Sequence, residues 1–117
     1  MKRAIKFRAW NTRLERMYSV YAIDFDIGVV FCESEEDTRH TFGMKDVELL
    51  QFTGANDGHG VDIYDGDIVQ FFDGEMSLVD RDDGGSWRIE VIDEELLGRS
   101  DDVVQIGNKY QHAELLG

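Results

Sequence analysis

The 117-residue chain is 42% hydrophobic and 32% charged, a globular balance that excludes intrinsic disorder and supplies one domain, spanning 1–117, with enough apolar side chain for a core. Its formal net charge of −13 repels phosphate backbones and anionic bilayers, so neither direct nucleic-acid binding nor a membrane partner is expected. There is no apolar run of about 18 residues, and the opening Met1-Lys2-Arg3-Ala4-Ile5-Lys6 lacks a secretory core and cleavage site, so a cytoplasmic protein is expected.

The charge is unevenly spread. The first sixteen positions hold six of the twelve basic residues and one acid, Glu15, a balance of about +5, and the remainder carries about −18. Cys32 is alone, which rules out an intrachain disulfide. Glu33, Glu35 and Glu36 beside it discourage a thiolate, and a packing role is expected.

In chain order, Ile5-Lys6-Phe7-Arg8-Ala9-Trp10 alternates apolar and basic side chains, the period of a strand with one buried and one wet face. Residues 17–21 and 27–31 are β-branched and aromatic without helical spacing and read as two further strands. Residues 33–39 are polar and read as an exposed loop, residues 47–52 as a strand, and residues 55–60, with Asn56, Asp57 and two glycines, as a turn.

Between residues 67 and 92 turn length assigns a register. A two-residue turn at Asp73-Gly74 sets Val69 opposite Leu78 and Phe71 opposite Met76. A four-residue loop over 82–85 then sets Leu78 opposite Ile89 and Met76 opposite Val91, so three strands share one apolar face. Asp-Gly occurs at 57, 65, 73 and 83 and proline is absent, so the turns rest on residues that tolerate positive φ. Short helical turns are expected at 93–97 and 114–116.

The stretch Gln51-Phe52-Thr53-Gly54, then Asp57, Gly60 and Ile63-Tyr64-Asp65-Gly66-Asp67-Ile68-Val69, resembles the central signature of the YopX family of phage and prophage proteins. The opening strand resembles that family's first strand, and Ile106-Gly107-Asn108-Lys109-Tyr110 with Glu114-Leu115-Leu116 its C-terminal block. Phe52, Asp65 and Ala113 depart from the Tyr, Glu and Pro common there. The resemblance implies a mainly β fold, a small antiparallel, partly open β-barrel with added strands and one or two helical turns, acting in the bacterial cytoplasm; it implies no reaction. At the matching positions Gly54, Gly60 and Gly66 read as turn residues, Ile63, Val69 and Tyr110 as core, and Asp67 and Asn108 as short polar side chains bonding nearby backbone amides.

The acids at 62, 65, 67 and at 80, 82, 83 lack the ligand order of a calcium loop, and His40, His59 and His112 are scattered, so no metal is expected. No nucleophile elbow, phosphate loop or dinucleotide motif is present, and no cofactor is expected. Trp10 and Trp87 read as packing side chains.

The leading expectation is a non-catalytic protein-interaction module, a phage or prophage accessory factor whose acidic field steers it to a basic host or phage protein. A narrower version has the acids imitating a nucleic-acid backbone toward a DNA-binding protein. A homo-oligomer joining the +5 and −18 regions of identical chains stands level with neutralisation inside one monomer. The rival class is a small-ligand binder or enzyme with a carboxylate-lined cleft, its candidate surface being Asp65, Asp67, Asn108 and Tyr110.

Overall fold

The computed structural model describes residues 6–90 and 94–116. These form two compact units that meet in sequence between Gln51 and Phe52, within one strand. Ile5 in the first strand, Val91 opposite Met76, and Asp93 in a helical turn lie outside the described residues.

In the N-terminal unit, β1 (Phe7–Asn11), β2 (Arg16–Asp24), β3 (Val29–Glu33) and β4 (Arg39–Gly43) form a meander. The first half of β5 (Val47–Asn56) joins it to give the antiparallel order β4-β3-β2-β1-β5. Ala9, Tyr18, Val30 and Cys32 make the buried centre, with Val20, Ile23, Phe42 and Leu49 packed on it. The β2–β3 ladder pairs Val20 with Cys32 and then Ala22 with Phe31, leaving Tyr21 as the extra residue of a bulge. That bulge brings Val20 and Ile23 onto the same core. Lys6 is exposed and Arg8 half-buried, but adjacent Ala9 and Trp10 are both buried, so the wet face expected from the basic residues does not continue to the end of β1.

In the C-terminal unit the second half of β5 pairs with β6 (Asp62–Tyr64). A second antiparallel sheet has the order β10-β9-β8-β7-β11, with β7 Asp67–Phe71, β8 Met76–Arg81, β9 Trp87–Ile89, β10 Glu94–Glu95 and β11 Val103–Asn108. Its core is Ala55, Ile63, Val69, Val79, Ile89, Leu96 and Val103, with Phe71 and Trp87 half-buried against it. Helical structure among the described residues is limited to short 3-10 turns, including Leu96–Gly98 and Ala113–Leu116 near the expected places. The protein is thus mainly β and antiparallel, and neither sheet closes on itself among the described residues.

One loop design recurs. Residues 34–38, 57–61, 71–75 and 82–86 are each closed by the first residue's N–H donating to the fifth residue's carbonyl. The fourth residue of each takes positive φ: Asp37 (60°), Gly60 (81°), Gly74 (93°) and Gly85 (86°). Two longer loops are also twins. Asn11 and Asp24 each accept two amide N–H groups through Oδ1, and the carbonyl of each accepts the N–H of a left-handed residue, Glu15 (φ 55°) and Gly28 (φ 69°).

These loops correct the expected register. With three residues between Phe71 and Glu75, β7 pairs Ile68 with Leu78 and Val69 with Ser77. The loop closed by Asp82 and Ser86 likewise pairs Val79 with Ile89. The shift is one residue at each turn, so Val79 enters the core and Leu78 is left half-buried on the other face. Apolar content gave no discrimination, because Ile68 and Val69, on opposite faces of β7, are both fully buried. The missed strand β4 holds one large apolar side chain, Phe42, too little for a strand signal. Gly54, expected at a turn, lies inside β5 with φ 88°, where the β5–β6 register is interrupted.

Two outcomes follow from this geometry. Glu15 carries a left-handed strain that Gly28 avoids at the equivalent place, so Glu15→Gly should raise the unfolding free energy by about 0.5–1 kcal/mol in urea titration. Gly28→Ala, whose new Cβ meets nothing within 4 Å, should lower it by about 1 kcal/mol through backbone strain alone. Cys32 is fully buried and its thiol is pushed up to about 11 by burial, the desolvation of its own core and not its acidic neighbours being the cause. A thiol reagent at about pH 8 should label the native protein at least ~10³-fold more slowly than the urea-unfolded chain.

Candidate functional site

The four residues singled out by sequence do come together. Asp67 opens β7 and Asn108 closes β11, and the two are direct cross-strand partners. The Lys109 N–H donates to the Gly66 carbonyl at 2.9 Å, which binds the turn after β11 to the turn before β7. A Cβ on Gly66, which has φ 82°, would lie 3.2 Å from the Tyr110 ring. Asp65 and Tyr110 flank this junction half-buried, so Tyr110 is a rim residue where a core position was expected, whereas Ile63 and Val69 are core.

Asp67 and Asn108 are buried and occupied with the backbone. Asp67 Oδ2 accepts the Tyr64 N–H at 2.7 Å, fastening the β6–β7 turn. Asn108 Oδ1 accepts the N–H groups of Tyr110 and Gln111 at 3.0 and 2.9 Å, and its Nδ2 donates to Gln111 Oε1 at 2.8 Å. His112 completes the turn: its Nδ1 accepts the Asn108 N–H at 3.1 Å. A Cβ on Gly107 would lie 2.6 Å from that nitrogen, so the histidine seat requires glycine. This is turn chemistry, as expected for short polar side chains beside reversals.

The residue that sequence reasoning left among ordinary turn positions is Asp57. Its side chain is 4% exposed. Oδ1 accepts the N–H groups of His59 (2.8 Å) and Val61 (2.9 Å), and Oδ2 accepts the N–H of Gln105, 48 residues away, at 2.7 Å. Beside it the Gly58 N–H donates to the Val103 carbonyl at 2.9 Å, and a Cβ on Gly58 would stand 2.9 Å from the Asp101 carbonyl oxygen. Burial alone would raise the Asp57 pKa; the amides of Gln105, Val61 and His59, with the His59 imidazole nearby, outweigh it and hold the carboxyl below its ordinary value. The available signal was Asp-Gly-x-Gly ahead of a strand, a short acceptor followed by a glycine of close approach and a glycine of positive φ.

Three other aspartates also bond backbone amides. Asp82 Oδ1 accepts the Ser86 N–H, Asp80 Oδ1 the Arg81 N–H, and Asp73 Oδ1 the Glu75 N–H. Arg99 bridges Glu94 and Asp102 with its guanidinium 5.6 Å from the Phe71 ring centre. No group of three or more His, Cys, Asp or Glu side chains is placed to hold a metal ion among the described residues. A shallow depression of about 70 Å³ is lined by residues that include His59, Phe72, Asp101 and Asp102. Phe72, at the apex of the β7–β8 loop, is 96% exposed.

Asp57→Asn keeps an acceptor for His59 and Val61 but turns an amide donor toward the Gln105 N–H. It should lower stability by about 1–3 kcal/mol at neutral pH. Because the folded carboxyl is depressed, its contribution is complete above the unfolded value of about 3.9 and lost as pH falls through the folded one. Denaturant midpoints of the two proteins should therefore converge as pH falls below about 3.9.

The comparisons with known proteins agree with this fold. No protein with a curated description matches the chain. Among solved structures, the crystal structure of protein EF1440 from Enterococcus faecalis is similar, with 23% identity and a TM-score of 0.74 over 99% of this chain and 100% of that one; at that identity the likeness concerns the fold. No helix among the described residues is long and apolar enough to cross a membrane. The profile described as YopX protein matches residues 6–117, spanning the first strand, the Asp57 loop, the β6–β7 turn and the C-terminal block, and the chain belongs to the YopX family.

Proposed function

We propose that this protein is a non-catalytic interaction module, a phage or prophage accessory factor that acts in the bacterial cytoplasm by binding a basic protein partner. The observation that carries this reading is the division of labour among its polar side chains. Asp67 and Asn108, the buried polar groups at the junction a cleft would use, and Asp57 in the loop after β5 are bonded to backbone amides. The exposed acids, among them Asp83, Glu90, Glu95 and Asp101, dominate a net charge of −13. Such a field raises encounter rates with basic surfaces and loses effect with salt.

Phe72 supplies an anchor. A hairpin apex needs no apolar side chain at that place, and an almost fully exposed ring beside Asp101 and Asp102 presents one apolar contact rimmed by acid, the composition of an interface hot spot for a lysine- or arginine-rich surface. The test is affinity capture from bacterial lysate, with and without phage proteins, at about 50 and about 500 mM salt, followed by mass spectrometry. A basic partner should be retained at low salt and released at high salt, and Phe72→Ala should weaken its capture about tenfold. Capture indifferent to salt, or partners without basic surfaces, would refute the reading.

A further inference from the structure

Open sheets must protect their edges, since a free row of N–H and C=O groups templates pairing with another chain. Among the described residues the sheets end at β4, β6, β10 and β11. The outer edge of β11 is taken by the loop after β5, through Gly58 N–H to the Val103 carbonyl and Gln105 N–H to Asp57. β6 is only three residues long, and its Tyr64 N–H is held by Asp67. β10 consists of two glutamates. β4 is five residues long and has none of these protections.

The hydrogen-bond phase of β4 is fixed by its ends. Ser34 N–H bonds the Thr38 carbonyl and Met44 N–H the Gly28 carbonyl, so in an antiparallel ladder the even-numbered residues face β3. The N–H and C=O groups of Arg39, Thr41 and Gly43 point outward, and the side chains of Arg39 and Thr41 are exposed. This outward set is symmetric about Thr41.

We propose that β4 is a homodimerisation edge on which two copies of the chain pair antiparallel about a two-fold axis at Thr41. That register sets Thr41 against Thr41 and Arg39 against Gly43, and every outward backbone group in the strand meets one on the other copy. His40 comes opposite Phe42, extending the Tyr18, His40 and Phe42 aromatic group across the axis. Just beyond the strand Asp37 faces Lys45 of the second copy, twice by symmetry. The one like-charge juxtaposition further out, Glu36 with Asp46, is relieved by the Arg16–Glu36 ion pair. No opposed pair within the strand repels.

This inference stands apart from the basic partner, and salt separates the two. Two copies of charge −13 repel at long range, so added salt should strengthen pairing while it weakens capture of a basic protein. In sedimentation equilibrium the mass should rise from 13.4 kDa toward twice that value as concentration increases from about 10 to about 300 μM, a range suited to a small interface. Thr41→Lys sets two ammonium groups together at the axis and should weaken dimerisation at least about tenfold, as should Thr41→Glu, while an equimolar mixture of the two variants should dimerise again. A monomer throughout the range, a Thr41→Lys protein that dimerises like the parent, or a mixture no stronger than its components would each overturn the proposal.

Discussion

The interaction on which the C-terminal unit depends is the bonding of the Asp57 carboxylate to three backbone amides. Two of its bonds close the hairpin between β5 and β6, and the third fixes that hairpin to β11 across 48 residues. A loop held only by local bonds would leave the Gln105 N–H and the Val103 carbonyl exposed along β11. With Asp57 and Gly58 in place, one turn shapes the chain and seals a sheet edge. Glycine at 58 follows from the same contact, because the loop lies too close to the Asp101 backbone to admit a Cβ.

Part of the protein's acidity has a similar origin. The chain has no proline, and no long helix among the described residues, so it reverses direction through loops that need a left-handed residue and an acceptor for the amides left unpaired. Asp24, Asp57, Asp67, Asp73 and Asp82 each supply that acceptor. A capping aspartate remains charged while it bonds. The carboxylates that hold the turns therefore also contribute to the field that would guide a basic partner, and neither role has to be selected against the other.

The class of fold was legible because period-2 alternation and Asp-Gly turns are local signals, and the junction of Asp65, Asp67, Asn108 and Tyr110 was legible through a family pattern that reaches both ends of the chain. Register was not. Loops of two and three residues both accommodate Asp73-Gly74, and the deciding features, the left-handed φ of Gly74 and the Asp73 bond to the Glu75 amide, are conformational. β4 escaped notice because an edge strand buries too little to need an apolar pattern. Asp57 escaped because its third partner, Gln105, is remote, and no local spacing encodes a bond between a hairpin and a strand from the far end of the chain.

Acid and salt act differently on this arrangement. The sequence reaches zero net charge at a pI of about 4.4. Asp57 is held below its ordinary value by its amides, so as pH falls toward the pI the long-range field weakens while the Asp57 bonds persist. Salt reaches the same end by screening, since charges more than about a Debye length apart, roughly 10 Å at 0.1 M, cease to interact while hydrogen-bonded contacts are little affected. A binding activity that fades under mild acid and moderate salt alike, with the folded state retained, is therefore traceable to the field. One lost only when Asp57 protonates belongs to the structure that Asp57 holds in place.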